Sequence, residues 1–148
     1  MNALDILKRD HQTVKGLFQE ATRTSDLKAR RDVFNKIDAE LETHAHLEET
    51  IFYPALEEHE ELADIVAEAR EEHQQVKVLL EEIEEAGAES HDFGAKLQEL
   101  IENVEHHVKE EEGEMFSKVQ DVFDEQELEQ LGRQLESAKG VKQHRQAV

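Results

Sequence analysis

Four long stretches of this 148-residue chain carry apolar side chains at three- and four-residue intervals, and a histidine or a glutamate interrupts each of these stripes. In the first stretch, Leu4, Leu7, Val14 and Phe18 leave a gap that His11 fills. An apolar stripe of this period is typical of an amphipathic α-helix. The interruptions fall at six positions: His11, His44, Glu48, His73, His107 and Glu111. The pattern therefore predicts a helical core that contains six polar side chains.

Breaks between the stretches are few, because the chain has one proline and six glycines. Serine and aspartate cap helix starts, glycine ends helices and proline interrupts them. The residues that mark the four breaks are Ser25, Pro54, Gly87 with Ser90, and the capping-box pair Asp124 and Glu127. The predicted helices cover residues 3–24, 26–57, 60–86 and 91–122, with a shorter helix near 125–138.

These elements predict an all-α fold, an antiparallel up-down four-helix bundle with a short C-terminal fifth helix. Residues 1–123 would form the bundle, and residues 124–148 would form the short helix and a tail. The tail, Lys139 to Val148, is polar and mildly basic, and we expect it to fray.

The second half of the chain repeats the first half. The segment 11–15, His-Gln-Thr-Val-Lys, matches the segment 73–77, His-Gln-Gln-Val-Lys, 62 residues later. The His-x-x-x-Glu segment at 44–48 matches another at 107–111, 63 residues later. Each half therefore supplies one histidine and then a His-x-x-x-Glu pair.

The spacing of the four histidines predicts that they share one layer of the bundle. Antiparallel neighbours meet at the same height when they lie equally far from their shared turn. The midpoints between successive histidines fall near residues 27, 58 and 90, which are the positions of the first three breaks. Because side chains four apart share a helix face, the two glutamates join the same layer.

Such a layer points to metal binding, because each of these groups buried without a partner would cost on the order of 1–3 kcal/mol. Imidazole and carboxylate without sulfur suit iron or manganese, and less specifically zinc or copper. Two carboxylates fit two ions better than one. A ferritin-like site is disfavoured because it uses Glu-x-x-His. A purely structural bundle would instead predict that His44→Leu or His107→Leu leaves the stability unchanged or raises it.

The other histidines are predicted to face solvent: His46, His59, His91, His106 and His144. His106 is the ambiguous member, because His106 and Glu110 have the same spacing as His107 and Glu111. The apolar stripe through Val104 and the match to the first half of the chain place His107 inward.

The composition of the chain excludes several classes of partner and of metal site. With 37 acidic and 17 basic residues, the net charge of −20 repels nucleic-acid phosphates and anionic membranes. The absence of cysteine excludes disulfides, thiolate zinc sites and cysteine-bound iron–sulfur clusters. The first ten residues lack the apolar run of a signal peptide, and no window reaches a membrane-spanning length. We therefore expect a cytoplasmic protein with no nucleic-acid or membrane partner.

Taken together, the motifs resemble the hemerythrin family, in its bacterial hemerythrin-like (HHE cation-binding) branch, over residues 4–122. The motifs that carry the resemblance are Asp10-His11, His44-Ala-His-Leu-Glu48-Glu49, Phe52-Tyr53-Pro54, Glu72-His73 and His107-Val-Lys-Glu-Glu111-Glu112. The resemblance implies a non-haem di-iron centre with an oxo or hydroxo bridge. It further implies that His11 and His44 hold one iron, that His73 and His107 hold the other, and that Glu48 and Glu111 bridge the two.

At one position the chain differs from the oxygen-carrying members of the hemerythrin family. Oxygen-carrying hemerythrins have another histidine four residues after the third-helix ligand, where this chain has Lys77, and the repeat mate is Lys15. The chain is thus similar to hemerythrin-like proteins that handle O2, hydrogen peroxide or nitric oxide in sensing, detoxification or stress responses. The alternative is an iron-responsive regulator or iron buffer without turnover, with the segment 124–148 as its switch. The two lysines either approach the site or lie on the surface, and no protein partner is indicated.

Overall fold

In the computed structural model, which describes the backbone of residues 1–147 and the side chains of residues 1–140, the described chain is all-helical. The α-helices are α1 Ala3–Arg23, α2 Leu27–Leu47, α3 Tyr53–Glu57, α4 Ala63–Ala86, α5 Phe93–Glu110, α6 Phe116–Val122 and α7 Glu125–Ala147. Two π-helical turns, Glu48–Phe52 and Glu111–Met115, join α2 to α3 and α5 to α6, and the 3₁₀ turn Glu60–Leu62 leads into α4. The predicted four-helix bundle with a fifth helix is confirmed. No helix in the described part is long and apolar enough to cross a membrane.

The ends of the helices follow local side-chain chemistry. Asp26, not the predicted Ser25, caps α2, because its carboxylate accepts a hydrogen bond from the Ala29 N–H at 3.0 Å. Ser90 is not the cap of α5 either: its hydroxyl accepts from the Asp92 N–H at 3.1 Å in the preceding turn, and the helix begins at Phe93. Gly87 ends α4 with a φ of +82°, as glycine readily does.

The capping box before α7 is confirmed. The Asp124 N–H donates to the Glu127 carboxylate at 3.0 Å, and the Glu127 N–H donates to the Asp124 carboxylate at 2.8 Å. Reciprocal bonds of this kind satisfy two donors that a helix start would otherwise leave free. They fix where the chain turns from α6 into α7.

The apolar core consists of two clusters rather than one. The first cluster lies where α3, α6 and α7 meet the starts of α1 and α4, and includes Leu4, Leu7, Phe52, Leu56, Phe116 and Leu135. The second cluster lies at the other end of the bundle and includes Phe18, Phe34, Ile37, Ile83, Phe93 and Leu100. On α1, Leu7 belongs to the first cluster and Val14 to the second. His11 lies between them, so the boundary is the histidine layer.

The two π-helical turns change which residues face the core. The Tyr53 N–H bonds the Glu48 carbonyl five residues earlier, and the Phe116 N–H bonds the Glu111 carbonyl in the same way. Each turn thus holds one residue more than an α-turn. After the first turn the inward face moves on by one position. A regular α-helical stripe continued from Leu41 through His44 and Glu48 would place Ile51 and Ala55 in the core. Both are only partly buried, whereas their neighbours Phe52 and Leu56 are fully buried.

Helix α7 is longer than predicted, since it runs on to Ala147 rather than ending near residue 138. Its apolar residues Leu128, Leu131 and Leu135 are buried in the first cluster. Lys139, the first residue of the segment predicted to fray, forms an ion pair with Asp10. The side chains from residue 141 onward, including His144, and all of Val148 lie outside the described part, so fraying there stays a prediction.

Candidate metal centre

The structure brings the six predicted ligands together in one layer across α1, α2, α4 and α5. Nitrogen and oxygen atoms of His11, His44 and Glu111 lie within 4.8 Å of one another, and so do those of Glu48, His73 and His107. The rings of His11 and His44 are 4.9 Å apart, and the rings of His73 and His107 are also 4.9 Å apart. The layer therefore consists of two histidine pairs, one on α1 and α2 and one on α4 and α5.

Each glutamate reaches both pairs. Glu48 Oε1 lies 3.2 Å from His44 Nε2 and 3.0 Å from His73 Nε2. Glu111 places Oε1 at 3.2 Å from His11 Nε2 and Oε2 at 3.2 Å from His107 Nε2. Two ligands about 2.1 Å from one ion, at roughly a right angle, lie about 3 Å apart. The spacing suits two ions bridged by the two carboxylates.

Unpaired buried atoms test whether these residues fit a metal. Among the described side chains, the buried nitrogen and oxygen atoms without a hydrogen-bond partner all belong to five of the six predicted ligands, and they are His11 Nε2, His44 Nε2, His107 Nε2, Glu48 Oε2 and Glu111 Oε1. Each such atom costs on the order of 1–3 kcal/mol when left unpaired. A folded chain does not concentrate these costs in one layer unless something else satisfies them, and metal ions would do so.

Every histidine of the layer is held from behind by a carboxylate at its Nδ1 atom. Because a carboxylate only accepts, Nδ1 carries the hydrogen and Nε2 is the atom left for a metal. The pairs are His11 with Glu112 at 2.6 Å, His44 with Asp10 at 3.1 Å, His73 with Glu49 at 2.8 Å and His107 with Glu72 at 2.7 Å. The tautomer that suits metal binding is thus set at all four positions.

These four contacts follow the internal repeat. Asp10 and Glu72 each precede the first histidine of their half, and each binds the second histidine of the same half. Glu49 and Glu112 each follow the ligand glutamate of their half, and each binds the first histidine of the opposite half. The two halves therefore hold each other's ligands in place.

As long as no metal is bound, neighbouring carboxylates favour the protonated imidazoles of His44 and His107. Burial on its own lowers the pKa of His44, but the charge of Glu48 and the hydrogen bond to Asp10 outweigh it and raise that pKa well above its ordinary range. Burial likewise opposes the charged form of His107, yet the neighbouring carboxylates of Glu111 and Glu72 raise its pKa to about 10. A metal ion binding at Nε2 must therefore displace protons.

Tyr53 is a further residue of the site, for which the sequence indicated no role. It is fully buried, and its hydroxyl donates to Glu111 Oε2 at 2.9 Å and lies 3.2 Å from His73 Nε2. Burial and the neighbouring charges of Glu48 and Glu111 raise the pKa of the phenol, so it stays protonated. Tyr53 follows Glu48 by five residues, and only the π-helical turn brings both inward. A prediction that assumes a regular α-helix places Tyr53 elsewhere.

A Tyr53→Phe variant is expected to retain the metal content of the parent protein but to unfold more easily without metal. Loss of a hydrogen bond to a charged, buried partner costs roughly 1.5–3 kcal/mol. The measurement is urea unfolding of the metal-free variant beside the metal-free parent, with metal content determined for both. Loss of metal from the variant would contradict the expectation and would make the phenol oxygen itself a ligand.

The remaining histidines separate clearly from the layer. The side chain of His106 is 64% exposed and that of His107 is 9% exposed, so only His107 faces the bundle interior. His46 and His91 are exposed as predicted. His59 departs from its prediction: it is half-buried, because its ring packs 4.8 Å from that of Phe123.

Both lysines that the sequence offered as neighbours of the site, Lys15 and Lys77, are exposed. The lysine that does approach the layer is Lys139, which pairs with the Asp10 carboxylate behind His44. It lies in the segment expected to fray, and no spacing rule connects it to the repeat.

The chain matches the Hemerythrin HHE cation binding domain family over residues 2–119. It belongs to this family. The match covers the whole of the layer described above and ends before α7. An HHE domain is a cation-binding domain, and the two clusters of histidine and glutamate in this layer could hold a metal.

Relatives of this HHE domain differ in length and in what is known of them. The chain is 28% identical to a DNA nickase of Nostoc sp. over 98% of its own length and 41% of the relative's. It is 30% identical to an uncharacterized hemerythrin-like protein of Schizosaccharomyces pombe, over 73% of the chain and 54% of that protein. The chain thus spans about half or less of these relatives.

A solved structure supports the assignment of the fold. The crystal structure of a Hemerythrin HHE cation binding domain-containing protein from Mycobacterium kansasii aligns with a TM-score of 0.85 and 26% identity. The alignment covers 96% of this chain and 87% of that one. The shared region therefore includes most of α7 as well as the four-helix bundle.

Proposed function

We propose that this HHE domain holds two iron ions on its six layer residues and binds O2, hydrogen peroxide or nitric oxide there. His11 and His44 would hold one ion, His73 and His107 the other, and Glu48 and Glu111 would bridge them. Iron bound in this way supplies redox chemistry and an open coordination position for a small ligand. The chain's own residues orient the imidazoles, keep Tyr53 protonated beside Glu111 and keep bulk water out.

A small cavity beside the histidines is the observation that carries this proposal. It has a volume of about 50 Å³ and touches all four histidines of the layer. The rest of its lining is apolar: Val14, Leu41, Ala45, Val76, Val104 and Val108. A buried water molecule needs a cavity of on the order of 10–15 Å³, so this one has room for a molecule of two to four atoms. Its apolar lining favours a weakly hydrated ligand over a charged metabolite.

A groove between α2 and α4 gives such a ligand a route from solvent. The groove has a volume of about 660 Å³ and shares Leu41, Ala45, His73 and Val76 with the inner cavity. Leu41, Ala45 and Val76 therefore separate the surface from the histidine layer. Small motions of their side chains would admit a diatomic molecule without opening the bundle.

Metal content and spectrum of the same purified sample test the proposal. We expect about two irons per chain by elemental analysis, with charge-transfer absorption in the near ultraviolet that changes when peroxide or nitric oxide is added. Stoichiometric zinc or manganese would support a metal site but contradict the proposed binding of O2, peroxide or nitric oxide to iron. A chain that takes up no metal after anaerobic iron loading would contradict the whole proposal.

Filling the cavity is expected to block the ligand and spare the metal. In Ala45→Leu the added carbon atoms would occupy the space above the histidines, so the spectral response to nitric oxide should fall at least about tenfold, while the iron content stays at two. Ala55→Leu is the matched control, since Ala55 is also partly buried but packs against the first cluster. Equal responses in both variants would show that the cavity is not the ligand site.

Other properties of the relatives are not carried over to this chain. The name DNA nickase belongs to the Nostoc protein, more than half of which has no counterpart here. The net charge of −20 opposes contact with a phosphate backbone, so we propose no nucleic-acid partner. We also propose a cytoplasmic location.

A second candidate function is an iron-responsive regulator or buffer without turnover. The contact between Lys139 of α7 and Asp10 favours it, because α7 is then linked to the ligand layer. A spectral response of the iron-loaded protein to peroxide or nitric oxide would support the first candidate. Protease sensitivity of α7 that depends on iron, without such a response, would support the second.

A further inference from the structure

One of the four carboxylates that hold the histidines differs from the other three. The side chains of Glu49, Glu112 and Glu72 are 42%, 31% and 16% exposed, so water stabilises their charges. Asp10 is only 3% exposed. A carboxylate removed from water to this degree needs a cationic partner to stay charged. His44 cannot be this cation once a metal holds its Nε2 atom, because the ring is then neutral.

Lys139 is that partner. Its ammonium group contacts Asp10 Oδ1, while Asp10 Oδ2 accepts the hydrogen of His44 Nδ1 at 3.1 Å. The lysine side chain is itself only 17% exposed. One carboxylate thus connects the α7 lysine to the ring of a predicted metal ligand. Glu72 instead lies beside His106 and Glu110, with no lysine among the partners described for it.

Helix α7 packs firmly enough against the bundle to hold Lys139 beside Asp10. Leu128, Leu131 and Leu135 are buried in the first cluster. At Gly132 the backbone of α7 approaches the residues that lead into α1 so closely that a Cβ atom would lie 2.5 Å from the Met1 carbonyl oxygen. The position of Lys139 is therefore set by packing along the preceding part of the helix, which the family match does not include.

We infer that Lys139 is a positioning residue for the metal centre: it holds the Asp10 carboxylate against His44, so that His44 Nε2 points at the ion shared with His11. The inference rests on the proposed function in that it assumes metal at the layer. It assigns α7 a role at one ion position only. The other position, at His73 and His107, is held without α7.

The first test compares iron release from loaded protein. Ferrous iron is loaded anaerobically and withdrawn by a coloured chelator from the parent, K139M, K139R, and the control K96M, whose lysine pairs with Glu82 on α4. Loss of a residue that supports a ligand typically weakens metal binding 10–100-fold. We expect K139M to release one of its two ions roughly tenfold faster and the other at the parent rate. K139R and K96M should release both ions as the parent does.

A double variant shows whether the effect passes through Asp10. D10N should accelerate release of one ion, and D10N/K139M should do so no further than D10N alone. The double variant removes the charges of Asp10 and Lys139 together, so it leaves no buried carboxylate without a cation. It can therefore be compared with D10N even if K139M folds poorly. Parent-like release from K139M, equal acceleration of both ions, or additive effects in the double variant would each overturn the inference.

A second measurement needs no metal and separates this inference from the proposed function. In metal-free protein with ¹⁵N-labelled histidine, the Nδ1 hydrogen of His44 should exchange with solvent faster in K139M than in the parent, while that of His107 stays unchanged. If the parent takes up no iron, the proposed function fails, and the exchange of His44 still decides the role of Lys139. Unchanged exchange at His44 would overturn that role.

Discussion

A His107→Ala variant is expected to hold at most one of the two ions, whereas His106→Ala is expected to hold both. His107 offers a buried Nε2 atom that lacks a hydrogen-bond partner and is held by Glu72 from behind. His106 is mostly exposed and pairs with Glu110 at 2.9 Å on the outside of α5. Removing a direct ligand should weaken binding at that position by more than about 100-fold, since even a supporting residue accounts for 10–100-fold.

The two variants form a matched pair, because the residues are adjacent and each has a glutamate four positions later. Elemental analysis of both proteins after identical iron loading gives the comparison. Two ions in His107→Ala would contradict the site. Loss of an ion from His106→Ala would move the site to the outer cluster of Glu72, His106 and Glu110, whose ligand atoms also lie within 4.8 Å of one another. A purely structural layer predicts no difference in metal and equal or greater stability when His107 becomes leucine.

Removal of metal is expected to destabilise the protein and to reverse its dependence on pH above neutrality. At free metal 1,000-fold above the dissociation constant, each occupied site adds about 4 kcal/mol. For a domain of this size that amounts to a shift in Tm of roughly 10 °C per site. The loaded protein should gain stability as pH rises, because protons compete with metal for the imidazoles.

The metal-free protein should show the opposite trend. The pKa of His107 is raised from an ordinary value of 6.5 to about 10, and that of His44 is raised as well. Their contribution is therefore complete below pH 6.5 and is lost as pH rises toward 10. Glu48 has a lowered pKa, despite burial, because of His44 and other partners, and its contribution is lost at acidic pH. Urea unfolding at several pH values, with and without metal, measures both slopes. Parallel slopes would contradict a metal site at these histidines.

The fold and the layer could be predicted because both depend on regular spacing. The apolar stripes, the internal repeat and the histidine midpoints all assume regular helices, and the four helices that carry the histidines, α1, α2, α4 and α5, are regular. The six layer residues come together for this reason. Their role as ligands stays a prediction until metal is measured.

Features that depend on irregular geometry could not be predicted. The π-helical turns at Glu48 and Glu111 have no signal in the apolar period. The first of them brings Tyr53 into the site and places Phe52 and Leu56 in the core instead of Ile51 and Ala55. Lys139 reaches the site from a helix that lies outside the repeat, 129 positions from its partner Asp10. Such a contact follows from how α7 packs, and spacing within α7 does not reveal it.

The histidine layer also bears on cooperativity, because it divides the apolar core into two clusters that belong to opposite ends of the bundle. Hydrophobic contact makes each end a cooperative unit, but it does not by itself make the two ends unfold together. That coupling passes through the continuous helices α1 and α4 and through six polar side chains with whatever they bind. Ions in place would strengthen it, so without them the two ends would open more independently. Metal status would then be expressed in how the chain fluctuates rather than in its average shape.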